Sequence, residues 1–242
     1  MQSGGEGLEG AASPDPNDEH REPRVPAEVG LNRFVWNMRH PDVRRLPGDK
    51  SFESAPAPVA LPGAYQVDLV IGDRTWSASF EILPDARSSA TLDELTEQFD
   101  LAIRIRDVLS SVHEAVDQIR AIVRQIDAWS PILQRREDAA EIVVRSRAVR
   151  DALSRIEGEL VQRQSQSPLN PPSRLNFKLA ALLEGVQNAD AAPTQGQVGV
   201  FEHLRDVVAQ HLNELQHVLD GELNELNQMI RSSRLDPIST RI

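Results

Sequence analysis

The chain has 242 residues and a formal net charge of −11 at pH 7, with 40% hydrophobic, 26% charged and 4% aromatic residues. This composition is ordinary for a globular protein, and with so few aromatic residues it favours helices with a core of Leu, Ile, Val and Ala. The charge excludes binding to a phosphate backbone unless basic residues are segregated, and here Lys and Arg are scattered among Glu and Asp. No nucleic-acid partner is expected.

Cysteine is absent, which excludes a disulfide framework and a thiolate metal site. The sequence contains no apolar run of about eighteen residues, so no membrane-spanning helix is predicted. The N-terminus lacks a basic segment followed by an apolar one, so no signal peptide is predicted either. These features leave the compartment open.

The two ends of the chain are predicted to lack a packed structure. Residues 1–28 are rich in Gly, Pro, Glu and Asp and hold almost nothing that a core could bury. We interpret them as a disordered arm, with an acidic recognition tail as the alternative. Residues 233–242 follow the last helical pattern and are predicted to form a flexible tail.

Residues 29–87 show the period of strands. Alternate apolar positions give three strand faces: Phe34, Trp36 and Met38; Tyr65, Val67 and Leu69; and Trp76, Ala78 and Phe80. Gly72 predicts a tight hairpin turn, and the five prolines between 41 and 62 favour loops or sheet edges. Three or four strands fit, fewer than a complete sandwich needs, so an open sheet edge and a partly uncovered apolar face are expected.

Residues 88–232 show the period of helices. Thr91 and Glu94 have the spacing of a capping box, and the first helix is predicted from Leu92 to Trp129, with Pro131 ending it. Its heptad seam consists of Ile105, Leu109, Val112, Val116, Ile119, Val123 and Ile126. Further helices are predicted over about 137–163, over a short stretch after Pro172, and from Phe201 to Ile230, with Gly221 as a weak point. The pattern predicts an elongated antiparallel bundle of three long helices and one short one.

No arrangement of residues in the sequence predicts catalysis. The many helix carboxylates lie opposite apolar stripes, which indicates solvated faces rather than the paired acids of a glycosidase. Two histidines on one helix can bind the same zinc ion when they are three or four residues apart. No two of His113, His203, His211 and His217 have that spacing. Nucleophile-elbow, P-loop and dinucleotide-binding patterns do not occur. No catalytic residue, cofactor or metal is therefore predicted.

The candidate interaction residues are polar or aromatic positions on the predicted strands and at the start of the short helix: Asn32, Arg33, Trp36, Arg39, Trp76, Arg174, Asn176 and Lys178. Together with Tyr65, the two tryptophans fit either the core of a small sandwich or an aromatic platform for sugars. The group around Arg174 is also interpreted as a structural clasp that lets the short helix dock.

Four segments together carry a family resemblance: 30–39 (GLNRFVWNMR), 62–65 (PGAY), 98–101 with 105–107 (QFDL, IRD) and 174–182 (RLNFKLAAL). They resemble the immunoglobulin-like segment and helical tail at the C-terminus of bacterial proteins with sortilin-like or BNR-type β-propeller repeats, often labelled glycosyl hydrolases. Phe177 departs from the pattern, since the family usually has Asn there.

The resemblance implies a partial immunoglobulin- or fibronectin-like sandwich and places any hydrolytic activity in the propeller, whose repeats do not occur in this sequence. It favours a non-catalytic structural or protein-interaction module, the C-terminal piece of such a protein, partnered by a β-propeller domain or a second copy through the open sheet edge. A carbohydrate-binding accessory module that uses the sheet aromatics is the alternative, and an enzyme acting alone is a third hypothesis. The family also implies an exported bacterial protein.

Overall fold

In a computed structural model, the described residues are 26–27, 29–44, 46, 57–133, 136, 139–161, 173–233 and 238–239. They form a mainly helical protein with a small antiparallel sheet. Residues 1–37 and 38–242 are separate units. Nearly all of the predicted disordered arm, 1–28, and most of the predicted flexible tail, 233–242, lie outside the described residues.

The elements follow the predicted order of strands and then helices. The strands are β1 (Gly63–Ile71) and β2 (Arg74–Ile82), and the helices are α1 (Leu92–Leu133), α2 (Ala140–Leu160), α3 (Leu175–Val186), α4 (Gln195–Val218) and α5 (Asn224–Ser232), with a π-helical segment (Leu219–Leu223) between the last two. Each predicted helix is therefore present. Gly221, the predicted weak point of the last helix, lies within the π-helical segment.

The first helix begins as predicted and ends slightly later. The Thr91 N–H donates to the Glu94 carboxylate (2.7 Å), and the Glu94 N–H donates to the Thr91 hydroxyl oxygen (3.2 Å), which completes the capping box. The hydrogen bonds from the Thr91 N–H and hydroxyl lower the pKa of Glu94. The prediction that Pro131 ends the helix is wrong: because Pro131 lies in the last turn it costs few backbone hydrogen bonds, and buried Leu133 holds that turn in the core.

The predicted helix seams form one core. Within α1 the buried seam residues are Ile105, Leu109, Val112, Val116, Ile119 and Ile126, with Val123 half-buried, and the same cluster includes Leu153 of α2, Leu179 of α3 and Phe201 of α4. Helix α1 packs against α2, α3 and α4. Apolar side chains at helical spacing thus face one another and leave the water, which is the main source of stability for such a bundle.

Ion pairs between the helices establish their directions. Two pairs join α1 to α2, Asp127–Arg150 (3.1 Å) and Arg120–Glu157 (2.7 Å), and two join α2 to α4 and α5, Arg155–Glu214 (2.5 Å) and Arg145–Glu225. In both cases the residue number rises along one helix as it falls along the other. Helix α2 is therefore antiparallel to α1, as the sequence predicts for neighbours joined by a short connection. It is also antiparallel to α4, which does not follow α2 directly in the chain.

The two strands form a hairpin in full register. Tyr65 lies opposite Phe80, Val67 opposite Ala78, and Leu69 opposite Trp76. Gly72 has a φ of +61° in the two-residue turn, as predicted, a conformation that a side chain would disfavour. In the described part of the chain this sheet has only these two strands, so the immunoglobulin-like sandwich stays a prediction.

The predicted strand from Gly30 to Met38 is wrong. Residues 31–37 form no regular element, Phe34 and Val35 are exposed, and Met38 has a φ of +55°, outside the extended region. A strand requires a neighbouring strand to satisfy its backbone groups, and alternation of apolar residues alone does not supply one. The only strand-like contact nearby joins Met38 and His40 to Ala60 and Pro58 through two backbone hydrogen bonds of 2.8 Å, among the residues that the structure describes.

Residues 38–44 and 46, here called the strap, lie along α1. The His40 ring centroid is 4.8 Å from that of Phe99, the Arg44 N–H donates to the Ser110 hydroxyl (3.2 Å), and Val43 is buried in the helical core. The Arg44 guanidinium also reaches Glu114 at 3.3 Å. The strap therefore belongs to the helical core rather than to a sheet.

Part of the C-terminal tail docks on the helices. Ile238 is buried, and the Asn227 amide of α5 donates to the Ile238 carbonyl (3.0 Å) and accepts from the Ile238 N–H (2.7 Å). The Gln125 amide of α1 donates to the Ser239 carbonyl (2.9 Å) and accepts from its N–H (2.8 Å). We call these four residues the tail clamp: two side-chain amides hold two consecutive backbone units.

Candidate functional site

One side of the hairpin is apolar and open. Seven apolar residues on this side are here called the hairpin face: Tyr65, Val67, Leu69, Ile71, Trp76, Ala78 and Phe80. The same register places Arg74 beside them, opposite Ile71, and Ile82 opposite Gly63. Val67 is 54% exposed and Trp76 50% exposed, and Leu69 and Ile71 are exposed to a similar degree. The strands make most of their contacts with each other rather than with helices. Contiguous apolar surface of this kind marks an interaction site more often than isolated exposed residues do.

The hairpin face is anchored at its base and open towards its turn. The Tyr65 and Phe80 rings stack with their centroids 5.7 Å apart, and the Tyr65 hydroxyl donates to the Leu61 carbonyl (2.8 Å). Leu69 and Trp76 lie opposite each other beyond the central Val67–Ala78 pair, on the side of the turn. The Trp76 ring is therefore exposed on a hairpin whose base is held in place by Tyr65.

The opposite side of the hairpin is polar. The Gln66 amide donates to the Asp68 carboxylate at 2.8 Å, and hydrogen bonds from Ser77 and Gln66 lower the pKa of Asp68. Ser79 lies opposite Gln66. The period of two thus separates a solvated side from an apolar side, and docking on the apolar side leaves these polar groups in water.

Both outer edges of the hairpin offer backbone groups. Because the turn has two residues, Ile71 and Arg74 form a hydrogen-bonded pair. Along the strands, hydrogen-bonded pairs alternate with pairs whose backbone groups point to the outer edges. The N–H and C=O groups of Ser77 and Ser79 therefore point away from β1. Natural sheets protect such edges with Lys, Pro or bulges, and β2 has none of these.

A cavity of about 240 Å³ lies at the base of the hairpin. Its apolar lining comes from the segments that flank the strands and from α1, including Leu61, Pro62, Ile82, Leu83, Leu95 and Phe99. Asp85, Gln98, Gln187 and Asp190 contribute the polar part of the lining. The Gln98 amide donates to the carbonyls of Val186 (2.7 Å) and Ala189 (2.5 Å), so it secures the end of α3.

A polar groove of about 660 Å³ lies between α2 and α4. Its lining includes Arg155, His211, Glu214 and His217. Glu214 bonds Arg155 (2.5 Å) and lies 3.6 Å from His211, and the hydrogen bond from Arg155 lowers the pKa of Glu214. No three His, Asp or Glu side chains of the described residues are placed to hold a metal ion. The Arg155–Glu214 pair thus joins α2 to α4 across this groove.

The candidate residues on the predicted strands have different surroundings. Asn32 and Arg33 are exposed, and the Asn32 amide donates to the Gly30 carbonyl (3.3 Å). Trp36 is half-buried. Arg39 is engaged in the protein itself, because its guanidinium donates to the Ala57 carbonyl (2.5 Å). Of these residues, Trp76 on the hairpin face has the most suitable setting for a partner.

The candidate residues at the start of α3 have a structural role. Arg174 bonds Glu159 of α2 (2.8 Å), Asn176 is buried with its carbonyl oxygen accepting from the Phe177 N–H (2.8 Å), and Lys178 is exposed. The Arg174 contact joins α3 to α2, which supports the clasp interpretation. Phe177, which departs from the family pattern, is 43% exposed.

Sequence reasoning missed the exposed aliphatic members of the hairpin face. Val67, Leu69 and Ile71 have the alternation of a buried strand, and period alone does not distinguish a covered face from an open one. The signal that could have identified them is the small number of predicted strands, which already indicated an uncovered apolar face.

No family model, curated protein or solved structure matches this chain. The resemblance to the propeller-bearing proteins therefore stays a prediction based on its four segments. Among the described residues, none of the helices combines the length and the apolar character needed to cross a membrane.

Proposed function

We propose that this chain is a non-catalytic protein-interaction module that binds its partner through the hairpin face. The observation that carries the proposal is the half-exposed apolar surface of Val67, Leu69, Ile71 and Trp76 on a hairpin with no extensive helix contact. A two-stranded hairpin is marginal in water unless its apolar face is covered or further strands join it. A partner that covers this face would gain roughly 25 cal/mol for each Å² of apolar surface removed from water.

The partner in this proposal is a β-propeller protein of the BNR or sortilin-like type, of which this chain is the C-terminal piece. Support comes from the four segments of the resemblance. The hairpin would then be one part of an immunoglobulin-like sandwich whose remaining strands come from the partner. Strands packed against the hairpin face would lie about 10 Å away, the usual separation of two sheets.

The test begins with the DNA next to this gene, in which a propeller-coding region is expected in frame or adjacent. The encoded propeller protein should bind the purified chain in a calorimetric titration. Val67→Ser should weaken the Kd about tenfold, because a buried Val side chain contributes about 1.5 kcal/mol or more. Val70→Ser is the matched control, since Val70 is on the same strand, points to the polar side and is 64% exposed. The proposal fails if no such region exists or if Val67→Ser binds like the control.

Carbohydrate binding is the second candidate, favoured by the exposure of Trp76. A tryptophan face on a flat sheet can stack against a sugar ring, and Leu69 lies directly opposite it. A glycan array should then show binding that is lost in Trp76→Ala and retained in Trp36→Phe. Binding should also protect Trp76 from fluorescence quenching by acrylamide. An empty array, or binding unchanged by Trp76→Ala, would eliminate this candidate.

A further inference from the structure

We propose that two copies of this chain pair through the outer edge of β2, antiparallel and centred on Ala78, to form a four-stranded sheet. The inference rests on the proposed function in one respect: the two joined hairpin faces would together bind the partner proposed above. It adds the identity of a partner, a second copy, and the register of the contact.

The outer edge of β2 has the groups that a further strand needs. The backbone groups of Thr75, Ser77, Ser79 and Glu81 point outward, because the residues between them are hydrogen-bonded to β1. Between Arg74 and Glu81 no residue of this strand is charged. An uncharged edge without Lys, Pro or a bulge is the kind that another strand extends.

Ala78 is the middle residue of β2, so a two-fold axis beside it pairs all nine residues with their counterparts. Trp76 then lies opposite Phe80 of the second copy, and Phe80 opposite Trp76 of the second copy. On the polar side, Ser77 lies opposite Ser79 of the second copy. Aromatic pairs and hydroxyl pairs are both favourable across antiparallel strands.

The charges favour the β2 edge over the β1 edge. In the register centred on Ala78, Arg74 lies opposite Ile82 of the second copy and Thr75 opposite Glu81, so no like charges face each other. A symmetric pair through β1 would be centred on Val67 and would place the two Asp68 carboxylates about two residues apart. Asp68 is ionised at neutral pH, and its Ser77 and Gln66 hydrogen bonds favour the charged form.

The pairing would also make the hairpin more stable than it is as an isolated pair of strands. Four strands satisfy more backbone groups than two and keep the apolar side chains on one side, because the two-fold axis is perpendicular to the sheet. The hairpin faces of both copies would join into a continuous surface twice as large. The surface that binds the partner in the proposed function would thus belong to the dimer.

Single cysteines test the register, because the protein has none of its own. Ala78→Cys should form a disulfide-linked dimer at least about fivefold faster than Val67→Cys, since only residue 78 would face itself with Cα atoms about 4.5 Å apart. Val67 is the stringent control because it is exposed at the centre of the other strand. Equal rates, or faster linkage at 67, would overturn the proposal in favour of random collision or face-to-face packing.

Proline substitutions test the edge. Sedimentation should show a dimer for the wild-type chain and for Gln66→Pro on the β1 edge, and a monomer for Ser79→Pro on the β2 edge. Each proline replaces an outward N–H, so the bonds between β1 and β2 remain. Circular dichroism checks that the helices are unchanged. A wild-type monomer at high micromolar concentration, or a dimeric Ser79→Pro, would overturn the pairing. A monomer that still binds the propeller protein through Val67 would leave the proposed function standing.

Discussion

Replacing Phe201 with alanine is expected to lower the free energy of unfolding by about 3–5 kcal/mol. Phe201 lies in the second turn of α4 and is 0% exposed. The Arg104 guanidinium of α1 lies 4.8 Å from the centre of its ring, so the side chain joins these two helices. Truncation would remove apolar contacts, leave a cavity, and deprive the Arg104 guanidinium of its aromatic neighbour.

The matched control for Phe201 is Phe177 on α3, the same residue type in a half-exposed position. Phe177→Ala is expected to cost less than about 1 kcal/mol, because water already covers much of the ring. Urea denaturation monitored by circular dichroism measures the free energy of unfolding of both variants. A loss at Phe201 no larger than that at Phe177 would mean that α4 does not pack on α1 as described.

Replacing Asn227 with leucine is expected to destabilise the protein by about 1–3 kcal/mol for each backbone group left unpaired. Asn227 is buried and forms two hydrogen bonds with the N–H and C=O of buried Ile238. Leucine has a similar volume but no polar atoms. The Ile238 backbone would then lose both of its hydrogen-bond partners in the apolar interior, and Ile238 would separate from α5.

Hydrogen exchange distinguishes this effect from a general loss of packing. In Asn227→Leu the amides of Ile238 and Ser239 should lose protection before those of the α1 core. Gln228→Leu is the control, because Gln228 is the exposed neighbour on the same helix. If Asn227→Leu leaves the Ile238 amide as protected as in the control, the tail clamp does not hold the tail.

The helices could be predicted from the sequence because their signals are local and repeated. The seam from Ile105 to Ile126 gives seven apolar positions at helical spacing, and the Thr91–Glu94 capping box marks where the helix begins. The hairpin turn at Gly72 was predictable for the same reason, because the turn requires a residue that accepts a positive φ. Pro131 misled the prediction, since a proline near a helix end is tolerated when the residues after it are buried.

The strap and the tail clamp could not be predicted, because their contacts join residues far apart in the sequence. Nothing around Ile238 indicates that Gln125 and Asn227 hold its segment, and His40 shows no periodic relation to Phe99. The prediction for the segment from Gly30 to Met38 was wrong for the opposite reason: the local signal is present, but the strand is not. Its alternation of Phe34, Trp36 and Met38 is that of a strand, but strand formation depends on a neighbour that local sequence does not specify.

The sequence predicted part of the candidate site, but not whether its side chains are buried or exposed. Sequence reasoning named Trp76 and expected an uncovered apolar face. It could not determine whether Trp76 fills a core or faces water, because both have the same period of two. Arg174 and Asn176 were named as contacts, but their partners lie within the protein: Arg174 bonds Glu159 of α2, and Asn176 accepts from the Phe177 N–H of its own helix.

The π-helical segment Leu219–Leu223 determines which way the last helix faces. An α-helix turns by about 100° per residue, so one residue more or less changes the side on which everything after it lies. An ordinary α-helix through the same residues would rotate Leu226, Asn227 and Ile230 by about 100° away from the core that they now face, whereas deleting Gly221 would remove the extra residue and let an ordinary helix keep their direction. The π-helical turn therefore sets the direction of α5 and, through Asn227, the position of Ile238 on the helices.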